Sequence, residues 1–164
     1  MVVLIGPPGA GKSTVGMLLA RRLGVPFTDT DVLVERAAGK PVGDIFVEDG
    51  EPVFREVERA VVARSLESST GIVALGSGAV LDADVRRQIS GLTVVYLEAG
   101  FATVARRTGL DRPRVVVPGN PRGMLRSMLE ERRAVYAELA TLTIATDELS
   151  PEEIAEQLAQ ENLT

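Results

Sequence analysis

The sequence predicts an α/β fold, a three-layer αβα sandwich around a five-stranded parallel sheet. Along the 164 residues, five short apolar runs alternate with stretches of helical periodicity. The runs are apolar at almost every position. As strands they need cover on both faces, which a parallel sheet between helical layers supplies. The first run ends in a glycine-rich segment that leads straight into a helical pattern. The length favours one domain over residues 1–164.

Val2–Ile5 is the first strand, four apolar residues stopped by Gly6. Residues 13–23 place Val15, Leu18, Leu19 and Leu23 at helical spacing, and Gly24 ends them. Residues 25–29 form the second strand. Two short helices follow over residues 31–38 and 42–48, split by Gly39 and Pro41. Residues 51–66 make a longer helix with Val53, Val57, Ala60 and Val61 on one side. Residues 72–75 read as a buried strand, stopped by Gly76-Ser77-Gly78. Residues 83–89 are helical, 93–97 a strand and 101–107 a helix. Residues 110–123 hold three prolines and two glycines and read as a loop. The longest helix covers residues 122–139 and the last strand residues 142–145. Ser150-Pro151-Glu152-Glu153 is a capping box with proline at the first helical position, and it opens a C-terminal helix. Ligands of such sheets sit at the carboxyl ends of the strands. Here that edge is marked by the turns after Ile5, at residues 29–31 and at residues 76–78.

Hydrophobic residues make up 45% and charged residues 25%, globular values that exclude a disordered chain. No apolar run approaches the ~18 residues of a membrane-spanning helix. The first six residues lack a basic region, so no signal peptide is expected and the cytoplasm is the expected location. Cys and His are both absent. That excludes disulfides, thiolate or imidazole metal ligands, cysteine nucleophiles and Ser-His-Asp triads. Any chemistry must run on carboxylates, Lys, Arg and hydroxyls, with a hard cation. The formal net charge is −5, and Lys12 and Lys40 are the only lysines. Residues 106–133 nevertheless carry eight arginines against three acids. An acidic chain is a poor nucleic-acid binder, so neither nucleic acid nor membrane is expected as a partner. A local arginine cluster suits a compact anion, because guanidinium forks match phosphate and carboxylate. It equally suits a solvated helix with i,i+4 ion pairs.

Gly6-Pro7-Pro8-Gly9-Ala10-Gly11-Lys12-Ser13 matches the phosphate-binding pattern G-x-x-x-x-G-K-[ST]. A loop with little side-chain bulk lets backbone N–H groups face a polyphosphate, and the following helix adds its N-terminal partial charge. Lys12 would reach the β- and γ-phosphates, and the Ser13 hydroxyl would bind Mg²⁺. The expected ligand is a nucleoside triphosphate with Mg²⁺. A P-loop alone leaves switch, motor and kinase open. With two lysines, neither in an [NT]-K-x-D motif, the guanine-recognition signature is absent. No apolar strand ends in Asp-Glu, as a motor ATPase would need. A small-molecule kinase needs only the loop, an acceptor site and a cover.

Beyond the P-loop, the chain resembles the shikimate kinases over essentially its whole length. The resemblance rests on Asp29-Thr30-Asp31, on Ile45-Phe46 with Gly50-Glu51, Phe54-Arg55 and Glu58, on Gly76-Ser77-Gly78, on Arg112-Pro113, and on Arg132 with Tyr136. It implies ATP-dependent phosphorylation of the 3-hydroxyl of shikimate in aromatic amino acid biosynthesis. The acceptor region would span about residues 30–62 and the lid residues 110–123. Asp31 matches the aspartate that hydrogen-bonds the acceptor hydroxyl and takes its proton. Its plainer role is an N-cap for the helix it begins. Asp29 matches an aspartate that holds Mg²⁺ through water. Arg55 and Arg132 match two arginines that grip the shikimate carboxylate. On its own helix, Arg55 also reads as an ion-pair partner of Glu51 or Glu58. Phe46 and Phe54 would pack beside the acceptor ring, or simply in the core. Gly76, Ser77 and Gly78 would offer backbone N–H groups to the acceptor. Ser77 stands where the family has glycine, and a positive φ there would cost roughly 1 kcal/mol or more. For ATP, the resemblance adds Gly9, Ala10, Gly11, Thr14, Arg107 against the adenine, and the lid arginine Arg112 on the transferring phosphates. The expected state is a monomer. Related kinases acting on gluconate or a nucleoside monophosphate, and a non-catalytic nucleotide sensor, are the alternatives.

Overall fold

The computed structural model describes residues 1–110, 119–161 and 163. Its elements are β1 (Val2–Ile5), α1 (Lys12–Leu23), β2 (Phe27–Asp29), α2 (Thr30–Ala38), α3 (Val42–Glu48), α4 (Glu51–Ser68), β3 (Ile72–Ala74), α5 (Ala83–Ile89), β4 (Thr93–Glu98), α6 (Phe101–Arg107), α7 (Pro121–Leu139), β5 (Leu142–Ala145) and α8 (Pro151–Gln160). A short 3-10 turn over Ala79–Leu81 precedes α5. The five strands form one parallel sheet in the order β2-β3-β1-β4-β5.

Alternate residues of each strand feed two different cores. Val2 and Leu4 of β1, with Val95 and Leu97 of β4, pack under Val15 and Leu19 of α1 and Ile154 and Leu158 of α8. Val3, Ile5, Val94 and Tyr96 face the other way, onto Val62 of α4, Val85 and Ile89 of α5, and Tyr136 of α7. This two-sided burial is why the strands read as continuous apolar runs. A third, smaller cluster joins Val34, Ile45 and Phe54 of α2, α3 and α4. It lies within the segment expected to receive the acceptor.

Several boundaries differ from the sequence reading. β2 starts at Phe27 instead of residue 25, because Val25 N–H still bonds back to Ala20 of α1 and Pro26 has no N–H to pair. α7 starts inside the expected loop, at Pro121. Asn120 accepts from Gly123 N–H at 2.9 Å, and Pro121 sits where a missing N–H costs nothing. α4 buries Phe54, Glu58, Val62 and Ser65, one face at spacings of four, four and three, while Val53 is exposed. Of the valine side read from the sequence, Val57 and Val61 pack only partly buried against the third cluster, and an acid stands in the fully buried row.

Candidate active site

The strand ends bring three segments to one edge of the sheet. β1 ends in the P-loop, whose Gly11 caps α1 with φ +96°, a left-handed value that only glycine adopts without strain. Lys12 opens α1 and curls back over the loop, donating to the carbonyls of Gly6 at 2.9 Å and Pro7 at 3.1 Å. Burial pushes its pKa down to about 8, against the opposing pull of Asp31 and Asp29. Next to it, Ser13 Oγ donates to Asp29 Oδ2 at 2.5 Å.

Asp29 closes β2 and does two things. Its second oxygen accepts from Asp31 N–H at 3.0 Å, so Asp29 caps α2. The capping role considered for Asp31 belongs to Asp29 instead, which leaves the Asp31 carboxylate to the cleft. Desolvation there raises the Asp31 pKa, Lys12 pulls it down and Asp29 pushes it up. Lys12, Ser13, Asp29, Asp31 and Ser77 line one cavity of about 310 Å³, together with Gly9, Gly11 and Thr14 of the P-loop. Ala10 is buried within that loop.

The turn after β3 is crowded on both sides. A side-chain carbon on Gly76 would lie 2.6 Å from Glu58 Oε1 and 2.7 Å from Asp31 Oδ1. One on Gly78 would lie 2.5 Å from both terminal nitrogens of Arg55. Glycine at these two positions lets the carboxylates and the guanidinium approach the backbone. Ser77 between them is not strained, since no non-glycine residue among those described has a positive φ. Its hydroxyl accepts from Arg132 Nη1 at 3.4 Å, and its carbonyl accepts from the Tyr136 hydroxyl at 2.6 Å. The N–H of Gly76 is not offered to a ligand, contrary to expectation, because it donates to the buried Thr30 Oγ1 at 3.0 Å. That role of Thr30 was not read from the sequence. Its one cue was its place between the two aspartates.

Arg55 makes both ion pairs foreseen for it. It lies 3.3 Å from Glu51 and 2.6 Å from Glu58. Its guanidinium carbon sits 5.1 Å from the centre of the Phe54 ring. Phe54 is buried, while Phe46, with its ring centre 4.4 Å away, stays partly open. Glu58 is 3% exposed and, among the described residues, its Oε1 has no hydrogen-bond partner. Burial raises its pKa, and Arg55 opposes the rise.

Arg107, at the end of α6, spans two elements. It donates to Gly9 O at 3.1 Å and to Thr146 Oγ1 and O at 3.2 and 2.9 Å. Thr146, buried just after β5, is a second anchor missed in the sequence. Arg112 and the centre of the expected lid lie outside the described residues.

For a cation, the fit is to oxygen ligands. The Ser13 hydroxyl and the Asp29 carboxylate are adjacent hard donors at the mouth of the P-loop. Among the described residues, no group of three or more carboxylates could form a protein cage. One or two protein oxygens with waters and phosphates is how Mg²⁺ is commonly held. Among the described residues, no helix is long and apolar enough to cross a membrane.

The family model described as shikimate kinase matches residues 8–162. A shikimate kinase of Thermobifida fusca (strain YX) is 56% identical over 161 residues, covering 98% of this chain and 94% of that protein. One of Salinispora arenicola (strain CNS-205) is 49% identical over 157 residues, covering 96% and 94%. The solved structure of the shikimate kinase from Acinetobacter baumannii in complex with shikimate has a TM-score of 0.88 at 35% identity. It covers 97% of this chain and 90% of that one.

Proposed function

The chain belongs to the shikimate kinase family, and from that premise we propose how its residues divide the phosphorylation of shikimate by ATP. The observation that carries this reading is one cavity lined by the P-loop, by Asp31 and by Ser77 of the turn after β3.

At the P-loop end, the N–H groups of Gly9 and residues 11–14 and the positive end of α1 hold the β- and γ-phosphates, while the Ala10 N–H stays on the Pro7 carbonyl at 3.2 Å, and Lys12 moves from its carbonyl contacts onto the phosphates. Ser13 and Asp29 hold Mg²⁺, Asp29 through water. The ion, when bound, neutralises phosphate charge. The edge of the Arg107 guanidinium is tied to Gly9 and Thr146, which leaves its flat face for the adenine. The arginine Arg112 is assigned to the lid on family resemblance alone.

At the other end, Arg55 and Arg132 take the acceptor carboxylate. The pairing of Arg55 with Glu51 and Glu58 pre-orients one of the two forks. The N–H groups of Ser77 and Gly78, which have no partner among the described residues, take polar groups of the acceptor. Asp31 then faces the 3-hydroxyl of the ring. The oxygen attacks the γ-phosphorus in line, its bond to ADP breaks, and the hydroxyl proton passes to Asp31. Positioning and charge neutralisation supply most of the rate, so a modest base suffices. The reading takes the enzyme as a monomer. The ATP requirement supports a cytoplasmic enzyme.

Coupled ADP release with MgATP and shikimate tests this, with Lys12→Ala as blank. The expected result is shikimate-dependent release that falls at least about 100-fold in the variant. Release that depends on gluconate or a nucleoside monophosphate, and not on shikimate, would overturn the acceptor assignment. Unchanged MgATP affinity in Lys12→Ala would overturn the P-loop assignment.

A further inference from the structure

The turn at Gly76–Gly78 leaves two donors unused. Gly76 N–H is taken by Thr30, and Ala79 N–H returns to Gly76 O at 3.0 Å. Among the described residues, the N–H groups of Ser77 and Gly78 have no partner. Gly78 is buried, and a buried N–H without an acceptor is costly unless a ligand completes it. Its direction therefore matters.

The Ser77 carbonyl and the Gly78 N–H belong to the same peptide unit. That unit is planar and trans, so the two groups point in opposite directions. The carbonyl is held toward α7, where the Tyr136 hydroxyl donates to it at 2.6 Å. The Gly78 N–H must then point away from α7. We propose that Tyr136 is a positioning residue: its hydroxyl locks the Ser77–Gly78 peptide plane and so aims the Gly78 N–H at the acceptor. This rests on the reading that shikimate sits over this turn.

Tyr136 is well built for the task. It is 1% exposed, and its ring stacks on Tyr96 of β4 with centres 5.1 Å apart and planes 29° from parallel. Arg132, one helical turn earlier, reaches the hydroxyl of the same Ser77. α7 thus grips one residue of the turn by both its side chain and its carbonyl. Burial pushes the Tyr136 hydroxyl up to about 12, so it remains a donor at any ordinary assay pH.

Tyr136→Phe removes one oxygen and keeps the stacked ring. The expected result is a KM for shikimate raised about 5- to 10-fold, the worth of one hydrogen bond. The KM for MgATP and kcat stay within about twofold on the same reasoning. In ¹⁵N spectra, the shift of the Gly78 amide on shikimate binding shrinks in the variant. Tyr96→Phe removes the other hydroxyl of the stack without touching the turn, and its kinetics should match the native enzyme. An unchanged KM for shikimate in an enzyme that turns shikimate over overturns the positioning role alone. So does a rise matched by the KM for MgATP, the mark of general loosening. A native enzyme with no shikimate turnover overturns the underlying acceptor reading and this inference together.

Discussion

Lys12 and Asp31 sit in one cavity, and each biases the ionisation of the other. Burial lowers the Lys12 pKa to about 8, so the cation is present below that pH and lost above it. In the free enzyme, kcat/KM for MgATP should therefore fall as pH rises through about 8. Bound phosphates favour the charged lysine, so the alkaline limb of kcat alone should lie higher. Asp31 must be ionised to take a proton, and its pKa is raised. The acid limb should then lie above the usual carboxylate range, with activity lost as pH falls through it. The pH profiles of kcat/KM and kcat check both limbs, and a Lys12 limb near the ordinary lysine value of 10.5 would refute the burial argument. The same lowered pKa costs the apo-protein stability at neutral pH. That cost is fully present below about 8 and fades as pH rises toward 10.5. It is the kind of strain a binding site carries until its ligand arrives.

Among the elements, the turn after β3 shows most directly how backbone shape selects residues. Gly76 and Gly78 face side-chain oxygens or nitrogens at 2.5–2.7 Å from where a Cβ would stand. Ser77 has no positive φ and its hydroxyl meets Arg132 Nη1 at 3.4 Å, so its departure from the family's glycine is accommodated. Gly78→Ala should fold, because the obstructing atoms are the movable tip of Arg55. The methyl would push that guanidinium out of its 2.6 Å pairing with Glu58. Loss of a charge-assisted contact to the acceptor carboxylate costs roughly 1.5–3 kcal/mol, or about 10- to 150-fold in shikimate KM. Thermal unfolding should move by only a few degrees. A large drop in Tm with an unchanged shikimate KM would show that the glycine serves packing instead.

For the whole molecule, the parallel sheet holds the site rigid from below. Leu97 of β4 is fully buried in the core under α1 and α8, in a cluster that also holds Ala10 of the P-loop, but it does not line the site cavity. Leu97→Ala should cost about 2–5 kcal/mol through lost burial and the cavity left behind. For a protein of this size that is a large share of total stability. Urea unfolding should show a lower midpoint with an unchanged slope. At a temperature where the variant remains folded, the KM values should stay near native. Shifted KM values there would mean that the sheet transmits small distortions to its carboxyl edge.

Local patterns in the chain determined most of the architecture and the phosphate end of the site. A strand apolar on both faces admits few arrangements, and the G-x-x-x-x-G-K-[ST] pattern needs no distant partner to be read. Arg55 with Glu51 and Glu58 was equally legible, because residues three and four apart meet on any helix. Tertiary structure alone decided the rest. It chose which face of α4 is buried, since valines on two sides of a helix look alike until the sheet is beneath them. It gave the Gly76 N–H to Thr30, 46 residues away, and the Ser77 carbonyl to Tyr136, 59 residues away. It joined Arg107 to Thr146 across α7 and β5. These bonds depend on where strand ends and helices meet in space, and no sequence period encodes that distance.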